Sequence, residues 1–239
     1  MVKLEALNIT KYYGKKLVLD NISLEAKAGE VVALLGPNGA GKTSFFYILA
    51  GLIAVNKGEI KLNNELITNY PIFQRGKLGI GYLPQDNSIF RDMNVEDNIL
   101  TILQLKYKNK ALQSQKLEEL LSEFDIVSIR KARATALSGG ERRRVEIARC
   151  LAGDPKFVLL DEPFAGVDPV AVKDIRSLIL GLKNRNIGII ITDHNVRETL
   201  EIVDKAYIIY EGRLLFSGDK AAIIKNKEVE RLYLGDSFK

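Results

Sequence analysis

The chain has 239 residues, 46% of them hydrophobic and 27% charged, with a formal net charge of +5. That balance supports a sizeable buried core, and no apolar run approaches the roughly 20 residues of a membrane helix. A single cysteine excludes a disulfide framework, and basic residues scattered everywhere except RRR at 142–144 leave no nucleic-acid footprint. In chain order, MVKLEALNIT alternates like a strand and carries no signal-peptide core, so a cytosolic protein is expected. Strands are predicted over 4–9, 17–24 and 31–36, a helix over 42–50, a strand pair over 59–67 and a strand over 79–84. From 95 to 121 the pattern is helical, with Val95, Ile99, Ile102, Leu103, Leu117, Leu120 and Leu121 at spacings of three and four. A helix over 139–151, a strand over 157–161, a helix over 170–182, a strand over 187–192 and a helix over 196–203 follow. AYIIYEGRLLFSG reads as a hairpin turning at Glu211 and Gly212, whereas 63–77 and 106–116 identify nothing. Alternating buried strands and helices predict one α/β domain with a parallel sheet. Residues 88–155 read as a helical insert between 1–87 and 156–239.

GPNGAGKT at 36–43 matches G-x-x-x-x-G-K-[ST] between an apolar strand and a helix, the context this phosphate-binding loop needs. Gly36, Gly39 and Gly41 let the backbone of Pro37, Asn38 and Ala40 wrap closely, so that N–H groups point at phosphate oxygens. The helix N-terminus at Lys42, Thr43 and Ser44 adds its dipole, with Lys42 bridging β- and γ-phosphates and Thr43 ligating Mg²⁺. FVLLDEP at 157–163 supplies a second half: Asp161 at a strand end suits Mg²⁺, and Glu162 suits polarisation of an attacking water. A solvated Glu before a turn proline is the plain alternative for Glu162. In LSGGE at 137–141, Leu137, Ser138, Gly139, Gly140 and Glu141 open a helix, offering a second anion site. An N-cap serine with two turn glycines is the bland reading. The only histidine, His194 in ITDHN, would alone be read as structural.

Together these stretches resemble the ATP-binding cassette (ABC) ATPases over nearly the whole chain, with LSGGE resembling their signature motif. The resemblance implies a P-loop NTPase fold with a RecA-like core, an antiparallel β subdomain and a helical signature subdomain. It implies adenine stacking by Tyr13, with Tyr12 the alternative, and a Q-loop at Gln85 that reaches Mg²⁺. It further implies a D-loop in AGVDP at 165–169 containing Asp168, and a γ-phosphate-sensing switch at His194. The expected cofactors are ATP and Mg²⁺. The expected partners are a second copy of the chain, the signature of each facing the other's nucleotide, and two transmembrane permease subunits. The protein would then sit at the cytoplasmic face of the inner membrane, held there by those partners, with no nucleic acid involved. Within the family, YLPQDNSIFRDMNVEDNI at 82–99 and the tail RLYLGDSF resemble the subfamily that powers lipopolysaccharide export. "FAGVDP" is shared with importers of branched-chain amino acids, which remain an alternative beside non-transport members of the family. Phe90 and Arg91 are candidates for a groove that receives a helix of the membrane partner; Phe90 as a core residue is equally compatible.

Overall fold

A computed structural model describes residues 2–166 and 169–235. β1 (Lys3–Tyr13) and β2 (Lys16–Lys27) form a hairpin, and β3 (Val31–Leu35) leads into α1 (Lys42–Ala50). Next come β4 (Lys57–Leu62), β5 (Glu65–Leu66), α2 (Ile72–Lys77) and β6 (Ile80–Leu83). The helical block holds α3 (Val95–Lys106), α4 (Lys110–Glu123) and α5 (Gly139–Leu151). β7 (Phe157–Asp161), α6 (Pro169–Asn184), β8 (Gly188–Thr192) and α7 (Val196–Leu200) follow, then β9 (Lys205–Tyr210), β10 (Arg213–Gly218) and α8 (Lys220–Lys225).

Two sheets result, and their burial explains their sequences. In one, β2, β1, β4 and β5 pair antiparallel in that order, and the first half of β1 alternates between buried and partly exposed residues. In the other, the order is β10-β9-β3-β8-β7-β6, parallel except for the antiparallel edge strand β10. Every residue of β3, β7 and β8 is buried, because elements cover both faces of that sheet; continuous apolar runs are what such strands require. One face meets α1 and the antiparallel sheet through Phe45, Phe46, Leu4, Ile22 and Ile190. The other continues without a break into the helical block, where Val158, Leu160 and Ile189 share a cluster with Ile99, Leu121 and Val145.

The helical pattern over 95–121 is divided between two helices, α3 and α4. Tyr107 is extended (φ −119, ψ 134), and the Asn109 side chain accepts hydrogen bonds from the Ala111 and Leu112 amides to start α4. A capping asparagine wins against apolar periodicity here, because its side chain substitutes for the missing intrahelical acceptor. The segment 63–77, silent in the sequence, contains α2 and a buried arginine. Arg75 donates to the carbonyls of Ile48, Leu49, Tyr70 and Thr68 at 2.6–2.9 Å, pinning α2 and its lead-in to the C-terminal end of α1. Burial lowers its pKa to about 10, so it remains a cation at the negative end of the helix dipole. α1 is thereby anchored at one end and free to meet a ligand at the other.

Candidate nucleotide site

The carboxyl ends of neighbouring strands β3, β8, β7 and β6 carry the phosphate loop, Asp193–His194, Asp161–Glu162 and Gln85 respectively. Ligands of open α/β sheets bind at this edge. The loop between β3 and α1 folds as it does because of its glycines. At Gly36 (φ +152) a Cβ would lie 2.1 Å from the Ile209 carbonyl oxygen, and at Gly41 (φ +103) 2.6 Å from Leu19 Cδ2. α1 begins after Gly41 with no side-chain cap, so its first amides are available to an anion. Asn38 and Gly39 form the exposed crest, while Pro37 and Ser44 are half-buried and Ala40 is buried. Lys42 is buried, its Nζ donating to the carbonyls of Gly36 (2.7 Å) and Pro37 (3.0 Å). Desolvation lowers its pKa, opposed by the charges of Glu162 and Asp193. Thr43 is exposed at the start of the helix.

Three carboxyl groups face this cradle. Asp161 is buried, accepts a hydrogen bond from the Tyr82 hydroxyl (3.1 Å), and is pushed up chiefly by desolvation, with Glu162 and Asp193 adding to the rise. Burial likewise pushes the Tyr82 phenol up. Glu162 turns the chain with φ 47, in the left-handed region, and its amide donates to the Thr192 carbonyl at 2.7 Å. A non-glycine residue there costs about 1–2 kcal/mol, and such strain collects at functional sites. Its Oε2 lies 3.3 Å from His194 Nδ1, so the two residues singled out by sequence are neighbours. Asp193, which sequence reading passed over, is fully buried and accepts from the amides of Phe164 (2.9 Å) and Asn195 (2.7 Å). It ties the loop after β7 to the loop after β8 and so sets the spacing between Glu162 and His194. Its pKa is raised by desolvation. Only its place between Thr192 and His194 marked it in the sequence.

Of the two tyrosines, Tyr13 stands beside the phosphate helix, its hydroxyl 3.4 Å from Ser44 Oγ and its ring exposed. The Tyr12 amide instead bonds to Asn56 Oδ1.

The signature stretch caps α5 with a complete capping box. Ser138 Oγ accepts from the Glu141 amide (3.3 Å) and donates to Glu141 Oε2 (2.6 Å), which also accepts from the Ser138 amide (2.8 Å). These bonds to Ser138 hold Glu141 below the usual carboxylate range. Leu137 is buried, and a Cβ added at Gly139 or Gly140 would meet nothing within 4 Å. Gln85, Glu162, Ser138, Gly139, Gly140 and Glu141 line one cavity of about 340 Å³. The phosphate loop and His194 do not line it. Asp168 lies outside the described residues. Phe90 is 44% exposed and therefore no core residue; the Arg149 guanidinium sits 4.8 Å from its ring centroid, and Arg91 beside it is exposed.

A glycine loop closing on a helix N-terminus, beside a buried acid at the next strand ends, defines a P-loop nucleotide-binding cassette. The family model described as ABC transporter matches residues 19–165. A probable ABC transporter ATP-binding protein of Azorhizobium caulinodans is 52% identical over 99% of this chain and 84% of its own length. The lipopolysaccharide export system ATP-binding protein LptB of Haemophilus influenzae is 48% identical over 99% of this chain and 98% of its own; LptB of Escherichia coli K12 is 47% identical over the full length of both. Among solved structures, the ADP conformation of an ATP-binding cassette of an ABC transporter superposes with a TM-score of 0.87. It is 28% identical, over 99% of this chain and 100% of that one. The chain belongs to the ABC transporter family, as an ATP-binding ATPase subunit.

Proposed function

We propose that this subunit powers export of lipopolysaccharide from the inner membrane, working as a homodimer beneath two permease subunits at the cytoplasmic face. The observation that carries the cargo is the end-to-end likeness to LptB proteins, 47–48% identical over 98–100% of either chain. No described helix is long and apolar enough to cross a membrane, so transport needs membrane partners. The exposed Phe90 and Arg91 supply an apolar anchor and a charged rim for a short helix of such a partner.

In this reading the amides of residues 36–44 and Lys42 hold the β- and γ-phosphates, with Tyr13 against the adenine. Asp161 fits a cation: it is a buried carboxylate that accepts one side-chain hydrogen bond among the described residues, and such a charge is costly unless a cation neutralises it. Thr43 and Gln85 add hard oxygen donors, the ligand type Mg²⁺ selects. Mg²⁺, when bound, neutralises developing charge on the phosphate oxygens. Glu162 orients and accepts a proton from the attacking water, and His194, held against Glu162, contacts the γ-phosphate. The cavity that the signature lines does not include the phosphate loop among the described residues, which favours completion of each site by the second copy.

The test is the complex purified in detergent, its membrane subunits identified and reconstituted with lipopolysaccharide. ATP-dependent release of lipopolysaccharide, abolished by Glu162→Gln while ATP still binds, is the expected result. ATPase activity stimulated by an amino acid instead would replace the cargo assignment. Hydrolysis at the native rate by Glu162→Gln would refute the role given to that residue.

A further inference from the structure

Between Gln85 and the exposed Phe90, the chain is gripped by the signature helix through a cluster of buried polar side chains at Glu146 and Arg149. Glu146 on α5 is 4% exposed; its Oε1 accepts from the Ser88 amide (2.7 Å) and the Ser88 hydroxyl (3.3 Å). Its Oε2 pairs with Arg143 Nη1 at 3.3 Å. One helical turn on, Arg149 Nη2 donates to the same Ser88 hydroxyl at 2.8 Å while its guanidinium lies over the Phe90 ring. From α3, the fully buried Asn98 brackets Phe90, accepting from its amide (2.9 Å) and donating to its carbonyl (3.1 Å). Gln85, Asp86 and Asn87, by contrast, are exposed and outside any helix or strand.

The cluster is expensive. Arg143 Nε and Nη2 and Arg149 Nη1 are buried with no hydrogen bond, and a half-satisfied polar network is less stable than apolar packing of the same volume. Such a network is useful where it specifies one arrangement. Here it joins Ser88–Phe90 to a rigid helix whose first turn, about 12 Å away at 1.5 Å per residue, is the signature.

We propose that Glu146 is a positioning residue that fastens residues 88–91 to α5, so that Phe90 and Ser138 move as one body about a hinge at 85–87. The proposal rests on the reading above that ATP hydrolysis here drives membrane partners, and it takes the helical block to move against the sheet when ATP binds. Glu146 borders the signature cavity, but both of its carboxylate oxygens are already engaged, by Ser88 and Arg143; it makes displacement of the signature by ATP into displacement of the partner-facing surface.

The test places spin labels pairwise on three exposed positions: Asp92 beside the fastened segment, Glu119 on α4 and Lys57 on β4. Cys150, which is only partly buried, is replaced by Ala in every labelled protein so that it does not compete for the labels. Distances are read by double electron–electron resonance in the full-length Glu162→Gln protein, with and without ATP. ATP should shift the Asp92–Lys57 distance and leave Asp92–Glu119 narrow and unchanged. Glu146→Gln, which keeps the volume, and Ser88→Ala, which keeps the backbone bond, should broaden Asp92–Glu119 with no loss of ATP binding. With Glu162 intact, they should also reduce partner-stimulated hydrolysis in the complex several-fold, with unstimulated hydrolysis retained. An Asp92–Glu119 distance that shifts with ATP in the unclamped and clamped proteins alike would overturn the proposal, as would one that stays narrow in both variants. ATP binding without movement in any pair would overturn the underlying reading, a result distinguishable from either.

Discussion

His194 and Glu162 meet through one 3.3 Å contact, yet the imidazole is more than half exposed while the loop that carries it is anchored by the buried Asp193. A side chain held from below and open above suits a group that meets a ligand. His194→Ala should leave ATP affinity close to native, because the loop amides and Lys42 supply the ground-state contacts. Turnover should fall by about 10²-fold, the scale of losing one positioned transition-state donor. Binding by fluorescent nucleotide and single-turnover hydrolysis separate the two, and a near-native rate returns the histidine to a structural role. Asp161 carries the opposite lesson, since its burial works against the fold. Its folded-state pKa is raised above the ordinary 3.8, so the unfolded chain ionises first as pH rises. The cost is absent below 3.8, grows as pH climbs from there, and is fully present above the folded value. Asp161→Asn should therefore raise the melting temperature at neutral pH, lose that gain as pH falls towards 4, and abolish Mg²⁺-dependent hydrolysis. A melting temperature below native at pH 7 would mean that the carboxylate supports the fold after all.

At the scale of elements, the strands ending at the site were legible because burial on both faces demands uninterrupted apolar runs, as in VVALL and GIIIT. The glycine loop was legible because only glycine tolerates the backbone at Gly36 and Gly41. What escaped depends on partners distant in sequence or on a local competitor to the helix. The Arg75 guanidinium is buried because four carbonyls of two other segments receive it, and no periodicity announces that. The Asp193 carboxylate is visible as a residue, but its bond to the Phe164 amide joins two loops that only the sheet brings together. Phe90 illustrates the same limit from the surface side: hydrophobicity alone left core and interface equally open, and exposure decides for the surface. Phe90→Ala in the isolated chain should then cost only about 0.5–1 kcal/mol, the cation–π contact with Arg149, far below a core phenylalanine. The membrane complex should fail to assemble. Asn98→Ala should be the more destabilising change, about 1–3 kcal/mol, because it strips the Phe90 amide of its side-chain acceptor and leaves the Phe90 carbonyl only the Met93 amide. Urea denaturation of both variants checks the order. A reversed order would place Phe90 in the core and end its assignment to the partner surface.

At the scale of the whole molecule, the phosphate loop is not among the described residues that line the signature cavity. The phosphate loop opens at the end of β3, whereas the signature cavity is lined by Gln85, Glu162 and the first turn of α5. If the halves belong to one composite site, they must come from two chains related by a twofold axis, which gives each dimer two such sites. That arrangement has a consequence that no single-chain site shares. Lys42→Ala removes the phosphate contact and keeps the signature. Gly140→Asp keeps the phosphate loop and adds a carboxylate where a Cβ meets nothing within 4 Å of the chain itself, so the subunit should fold normally while repelling a phosphate brought by its partner. Each variant alone should be inactive. Mixed in equal amounts, half of the dimers carry one of each, and in those one site pairs an intact phosphate loop with an intact signature. Hydrolysis should return on mixing to about a quarter of native, from sites that form across the twofold axis and turn over independently. The measurement is phosphate release after co-refolding or co-expression, with the mixed dimer isolated by two tags. Recovery on mixing cannot arise from a site completed within one chain. Its complete absence in an isolated mixed dimer that still binds ATP would therefore sink the head-to-tail arrangement.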